Sequence, residues 1–346
     1  MLYNPYFNQT KEWSEFWLKA NNDKNHQIII FESNNLKAYV YQYPFCFKMY
    51  FWYLPRAVVL KNNFDLEADL KQELEKLITD INTKAKQNNK IVFLKIDYDL
   101  NFLHRYIYDD KCRDPEGLLN DYPELKYQKA TKKLQYQSTK IIDLKLLKPT
   151  DNICTFWQEN TKWFNVNFDK RTRYGTRKAL DSNWIYDTEK NIENFDAFYN
   201  LYLETSNRQG FTIHPKKYLK TLLFEPFSKL ILLKQNNQIH AAWFGVIINK
   251  SIINLYGANS MTSREFYGQY FLHLLAIYGA VKEKCLEYDL GGLEEGKGYN
   301  LFKQGYKGEV KNFSESYDII YSPITYYTYN TYKRTKKYLK YFNTIK

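Results

Sequence analysis

Glycine is scarce in this chain, 13 residues in 346, and so are histidine, at five, and cysteine, at four. Cys46, Cys112, Cys154 and Cys285 are far apart, with no C-x-x-C pair, and the histidines show neither H-x-x-x-H nor H-E-x-x-H spacing. These absences argue against a zinc site and against a disulfide framework, and leave the cysteines as buried, inert thiols. No apolar run approaches the ~20 residues that span a bilayer, and "MLYNPYFNQTKEW" lacks the basic-then-apolar order of a signal segment. A cytoplasmic location is the expectation.

The glycines present are not spread evenly. Six of the 13, Gly291, Gly292, Gly296, Gly298, Gly305 and Gly308, fall within "EYDLGGLEEGKGYNLFKQGYKGEV", residues 287–310. Such a cluster after an apolar run marks backbone that turns through positive φ or approaches a ligand closely. Charge is uneven too. Fifty Lys and Arg against 38 Asp and Glu give +12, which suits polyanionic partners, although 33 tyrosines among many Lys and Asn also fit compositional drift.

The length suits two domains. "QIIIF", "LKAYVYQYP" and "FKMYFWYL" read as a meander, and Leu66, Leu70, Leu74, Leu77, Ile78, Ile81 and Ala85 as the apolar face of a helix that leads to the strand "IVFLKID". The same order returns in "KLILLK", "IHAAWFGVII" and "IINLYGA", a helix over about 266–285, and "LEYDL". The two final strands end at Asp97 and Asp289. This duplication predicts two α+β units of the GNAT acyltransferase type with a cleft between them, 1–147 and 148–317, the tail 318–346 packing back on the first. The coenzyme A pyrophosphate loop, Q/R-x-x-G-x-G/A, is missing from "NSMTSREFYGQYF".

The segments "QSTKIIDL", "RTRYGTRKAL", "FYNLYLETSNRQGF", "AAWFGVIINKSIINLYGANS", "YDLGG" and "LFKQGYKGE", in this order, resemble the FemABX family of tRNA-dependent peptidoglycan aminoacyltransferases. The resemblance is strongest over about 135–310 and implies the compact FemX type without a helical arm. It further implies transfer of an amino acid from aminoacyl-tRNA to the side-chain amine of a stem peptide, carried by UDP-MurNAc-pentapeptide or lipid II. A monomer with no cofactor is expected, acting in cell-wall cross-bridge formation and in peripheral contact with the inner membrane face. The competing readings are a coenzyme A-dependent N-acyltransferase and a non-catalytic binder of RNA or precursor.

The resemblance also distributes roles. Lys303 of "FK" becomes the catalytic ammonium and Phe302 its neighbour in the site. Asp97 lines the acceptor site, Arg208 of "TSNRQGF" holds phosphates, and Tyr256 is a cleft tyrosine. Structural alternatives stand beside each: a solvated loop lysine, a strand-end carboxylate, an Arg208–Glu204 helix pair, a core aromatic. Two departures appear. "YLPRAVV" keeps Arg56 of an R-G-P pattern without its Gly and Pro, and the phosphate-binding lysine expected four residues after Trp13 is replaced by Trp17, with Lys19 as substitute. For tRNA, Lys170, Arg171, Arg173, Arg177 and Lys178 form a basic stripe, supplemented by Lys333, Arg334, Lys336 and Lys337 in the tail.

Overall fold

The computed structural model describes residues 7–56, 58–61, 69–97, 126–294, 298–313 and 315–344. The chain divides into two units, Met1–Gln135 with Asn312–Lys346, and Tyr136–Lys311. Cys112 and Leu66 lie outside the described residues.

In the first unit α1 (Lys11–Ala20) precedes β1 (Gln27–Glu32), β2 (Leu36–Pro44), β3 (Tyr50–Leu54) and β4 (Val59–Leu60). Helix α2 (Leu70–Gln87) then leads to β5 (Ile91–Asp97), and β6 (Tyr127–Lys129) closes the first pass. Asp69 starts α2 by accepting from the Gln72 amide at 3.0 Å. Leu70, Leu74, Leu77, Ile78, Ile81 and Ala85 bury the face expected from their spacing. All seven residues of β5 are buried, as a central strand requires. The sheet order is β1-β2-β3-β5-β14-β6, with β4 on β2, and β14 (Ser316–Ile320) comes from the far end of the chain, followed by α11 (Pro323–Thr344).

The second unit begins with β7 (Ser138–Asp143), α3 (Ile153–Glu159), α4 (Thr161–Asn167), α5 (Lys170–Leu180), β8 (Ile185–Asp187), α6 (Ile192–Gln209) and α7 (Lys216–Leu223). The meander β9 (Ser228–Gln235), β10 (Gln238–Ile248) and β11 (Ser251–Asn259) follows. Its two tight turns use Asn236 and Asn237, then Asn249 and Lys250, all at positive φ, the geometry that matches strand twist in hairpins. Next come α8 (Met261–Glu265), α9 (Gly268–Lys282), β12 (Glu287–Gly292), α10 (Gly298–Gln304) and β13 (Glu309–Asn312), in a sheet ordered β13-β7-β12-β11-β10-β9-β8.

The repeat is therefore architectural. In each unit an antiparallel meander runs through a helix to a strand parallel to its last member, β3 with β5 and β11 with β12. In each, an antiparallel strand lies beyond, β14 on β5 and β7 on β12. Residues 136–147, read from sequence as the end of the first domain, fall in the second unit because Ser138–Asp143 pairs with Glu287–Gly292. The longest helix described in the second unit has 18 residues. Where a coenzyme A loop would precede the long helix, the short α8 stands instead. Among the described residues no helix is long and apolar enough to cross a membrane.

Candidate active site

Lys303 lies near the end of α10, and its side chain points back onto the turn that ends β12. Its Nζ donates to the Gly292 carbonyl at 2.7 Å and sits 5.0 Å from the centre of the Tyr299 ring. Only 9% of the residue is exposed. Burial brings its pKa down to about 8, against the pull of Asp289 and Glu294. Gly291 explains part of the glycine cluster. Its φ is +74°, and a Cβ there would lie 2.5 Å from the Asn254 carbonyl and 3.8 Å from Lys303 Nζ.

A second lysine braces the same residue from behind. Lys140 on β7 donates through Nζ to the main-chain carbonyls of Lys303, at 3.3 Å, and Tyr306, at 2.9 Å. The Lys303 carbonyl also accepts from the Tyr306 amide at 3.2 Å, so Lys140 adds a second donor at the end of α10. Beside Lys140, Thr139 donates to the Asp289 carboxylate, which also accepts from the Gly291 amide at 2.8 Å. Burial raises the Asp289 pKa although these donors oppose it. Beneath lies His273, which is buried, hydrogen-bonded through Nδ1 to Tyr288 Oη at 2.5 Å and held neutral with a pKa of about 3 by burial. Phe302 packs on His273, Tyr270 and Tyr306 at ring distances of 4.9, 5.0 and 5.4 Å.

Arg208 is the second expected residue in this unit. It donates to the Asn259 carbonyl at 2.7 Å and meets Glu204 at 3.5 Å, so the helix pair weighed from sequence exists beside a tie to β11. Tyr256 lies on the same strand, half-buried, with ring neighbours Tyr202 at 5.7 Å and His214 at 5.9 Å. Burial pushes its phenol well above the usual range. Two residues earlier, Asn254 reaches the Gly291 turn, so β11 runs between the Arg208 group and the Lys303 group.

Asp97, Arg56 and Lys19 belong to the first unit. Asp97, expected to line the acceptor site, is enclosed: it has no exposed surface and accepts from Tyr53 and from Ser316 at 2.5 Å. The Ser316 bond follows from β14 lying opposite β5. Arg56 takes a positive φ of 58° where the R-G-P pattern has lost its glycine, and its guanidinium stacks 3.5 Å from the centre of the Phe313 ring. Lys19 is exposed on α1 while Trp17 is buried.

The basic stripe forms helix α5, capped by Asp169. Lys170, Arg177 and Lys178 are exposed. Arg171 donates to the Leu301 carbonyl at 2.9 Å, and Arg173 to those of Asn165 and Phe168. Two of the five cations thus tie α5 to its neighbours, Arg171 to the helix that carries Lys303. The side chains of Arg334, Lys336 and Lys337 are outside the described residues. One expectation is corrected: Cys154 is exposed, being on the outward side of the first turn of α3, whereas Cys285 is buried and its thiol pushed up to about 12.

Sequence reasoning passed over Lys140 and gave Asp289 no chemical role. The signal for Lys140 was a lysine inside the β-branched run "STKIID", where a cation must find an internal partner.

The two units define a tandem α+β fold of the GNAT type. Solved structures share it: FemX, at 15% identity, covers 94% of this chain and 94% of that chain with a TM-score of 0.68. The carboxyl-terminal domain of a putative lysylphosphatidylglycerol synthetase from Agrobacterium fabrum, at 9% identity, covers 90% of this chain and 87% of that one with a TM-score of 0.53. L-PGS from Bacillus licheniformis, at 10% identity, covers 90% and 88% with a TM-score of 0.50. No curated protein matches the sequence. Residues 224–334 match the FemAB family model.

Proposed function

We propose that this protein is an aminoacyltransferase that moves an amino acid from aminoacyl-tRNA to the side-chain amine of a peptidoglycan precursor, UDP-MurNAc-pentapeptide or lipid II. The observation that carries the reading is the buried Lys303 ammonium aimed at the Gly291–Gly292 turn. It stands in the segment matched by the FemAB family, within the fold that FemX shares. A coenzyme A donor is disfavoured because α8 occupies the place of the pyrophosphate loop.

The acceptor amine attacks the ester carbonyl of the aminoacyl-tRNA. A C–N bond forms, negative charge gathers on the carbonyl oxygen, and the ester C–O bond then breaks. The ribose leaves as its hydroxyl with the proton lost by the amine. An ammonium in a poorly hydrated site stabilises that oxygen more than water would, because its charge is already in place. Lys303 keeps one N–H on Gly292 as an anchor, and an ammonium has three. Arg208 holds precursor phosphate, and the exposed cations of α5 meet the tRNA backbone.

The test is direct. Purified protein is mixed with charged tRNA and UDP-MurNAc-pentapeptide, or lipid II in micelles, and the peptide is weighed by mass spectrometry. A gain of one aminoacyl residue is expected. A gain only with acetyl-coenzyme A would end this reading.

A further inference from the structure

We propose that Arg264 is a second phosphate-binding residue, which with Arg208 grips the diphosphate that joins the precursor's sugar to its carrier. The proposal rests on the functional reading above for the source of the anion, whereas the meeting of two guanidinium groups is independent of it. Asn259, the last residue of β11, brings them together. Its Oδ1 accepts from Arg264 Nε at 3.1 Å and lies 3.4 Å from Arg208 Nη2, which also donates to the Asn259 carbonyl at 2.7 Å. Arg208 stands in the last turn of α6 and Arg264 in that of α8, so three elements deliver the pair to one point. The point is fixed, since the Asn259 amide donates at 3.2 Å to the hydroxyl of Thr205, a buried residue of α6.

Two positive charges meet here on one neutral oxygen. Among the described residues the carboxylate that reaches the pair is Glu204, 3.5 Å from Arg208, and its side chain is 64% exposed. A contact so long and so hydrated neutralises little. Repulsion between the guanidinium groups is relieved when an anion enters between them. Donors are left over for it. Arg264 spends Nε on Asn259, and its Nη1 has only the Met261 sulfur at 4.0 Å, a weak acceptor. One guanidinium takes one phosphoryl group through two parallel N–H bonds, so two of them match two linked phosphoryl groups. UDP-MurNAc-pentapeptide and lipid II share that diphosphate. Asn259 then acts as a positioning residue, because a neutral acceptor orients both arginines without competing with the ligand as a carboxylate would. The exposed cations of α5 are strung along a helix instead, as a polymer backbone requires.

The experiment is calorimetric titration with four probes: UDP-MurNAc-pentapeptide, lipid II in micelles, inorganic diphosphate, and MurNAc-pentapeptide without diphosphate. Arg264→Ala should weaken binding of the diphosphate-bearing probes by about 10- to 100-fold and leave the last probe unchanged. Precursor KM should rise to match while kcat holds. Arg264→Lys keeps the charge without the fork and should recover part of the loss. In the double variant with Arg208→Ala the combined loss should differ from the sum of the single losses, because both residues hold one group. A loss seen with UDP-MurNAc-pentapeptide alone or with lipid II alone supports the grip and names the carrier. Should Arg264→Ala fold poorly by circular dichroism, Arg264→Gln, which keeps a donor for Asn259, takes its place. Unchanged affinity for every diphosphate-bearing probe overturns the proposal, as does weakened tRNA binding with precursor affinity intact. Inorganic diphosphate held through Arg264 by a protein that transfers no amino acid would instead overturn the functional reading and leave this one standing.

Discussion

Lys140 and Lys303 meet through the main chain: the Nζ of Lys140 donates to the carbonyl of Lys303 at 3.3 Å, while the Nζ of Lys303 donates to Gly292 at 2.7 Å. Gly292 in turn pairs with Thr139, the residue before Lys140. Lys303 is thus held at its main chain by Lys140 of β7 and at its side chain by Gly292 of β12, which pairs with the neighbouring Thr139.

Lys140→Met should loosen one side of this clamp. The Tyr306 carbonyl loses the Lys140 donor while the Lys303 carbonyl keeps the Tyr306 amide, which costs about 1–3 kcal/mol by thermal or chemical unfolding. Turnover should fall while acceptor KM holds, and Lys140→Arg should recover part of it. A loss confined to the folded fraction, with normal turnover per folded molecule, would show that Lys140 is merely structural.

Lys303→Met should lower turnover by about two orders of magnitude with little change in acceptor affinity. Its stability should move the other way. The folded-state pKa of about 8 is below the ordinary 10.5, so the folded protein carries the lysine at a disadvantage below pH 8 that disappears as pH rises toward 10.5. The variant should therefore match or exceed wild type in stability at pH 7, by ~1–3 kcal/mol, and lose that margin near pH 10. A rate that climbs through pH 8 in wild type would point to a neutral amine as the working form.

Arg208→Ala should chiefly weaken acceptor binding, by about 1.5–3 kcal/mol, because phosphate is present before and during reaction. Glu204→Gln removes only the long, exposed helix pair and should change stability by no more than ~0.5 kcal/mol. Isothermal titration with UDP-MurNAc-pentapeptide separates the two effects. An Arg208→Ala protein with intact affinity but low turnover would reassign the residue to chemistry.

Lys95 and Asp318 form a buried ion pair at 2.6 Å between β5 and β14, with Tyr326 Oη also on the carboxylate at 2.6 Å. Lys95→Met leaves Asp318 without its cation and should cost about 3–5 kcal/mol. Burial already raises the Asp318 pKa, and removing Lys95 raises it further, so the folded form gains protons first. The loss should shrink on acidification, which denaturant midpoints at pH 7 and pH 5 would reveal.

Much of the fold was legible because each meander and helix declares itself locally. The buried spacing of α2 and the asparagine turns of the β9–β11 meander needed no distant information. The partners of β5 and β12 were not legible, since β14 and β7 join them from far along the chain. Asp97 shows the effect on site reading. A strand-end carboxylate looks open in sequence, yet Ser316, more than two hundred residues away, closes over it. The glycines drew attention to the stretch and the family resemblance singled out Lys303 within it, whereas its brace on Lys140 required a contact between a strand and a helix end.

The placement of β14 sets an order for how this molecule comes into being on the ribosome. The second unit, Tyr136–Lys311, is one uninterrupted stretch and can close as soon as it emerges. The first unit, although synthesised first, must wait for Ser316–Ile320 to occupy the row between β5 and β6. Until then β5, a strand buried at all seven positions in the finished fold, offers a bare hydrogen-bonding edge, the kind of edge that recruits foreign strands. The nascent chain thus passes through a stage in which its oldest half is its least finished, and that stage is the one most exposed to pairing with foreign strands.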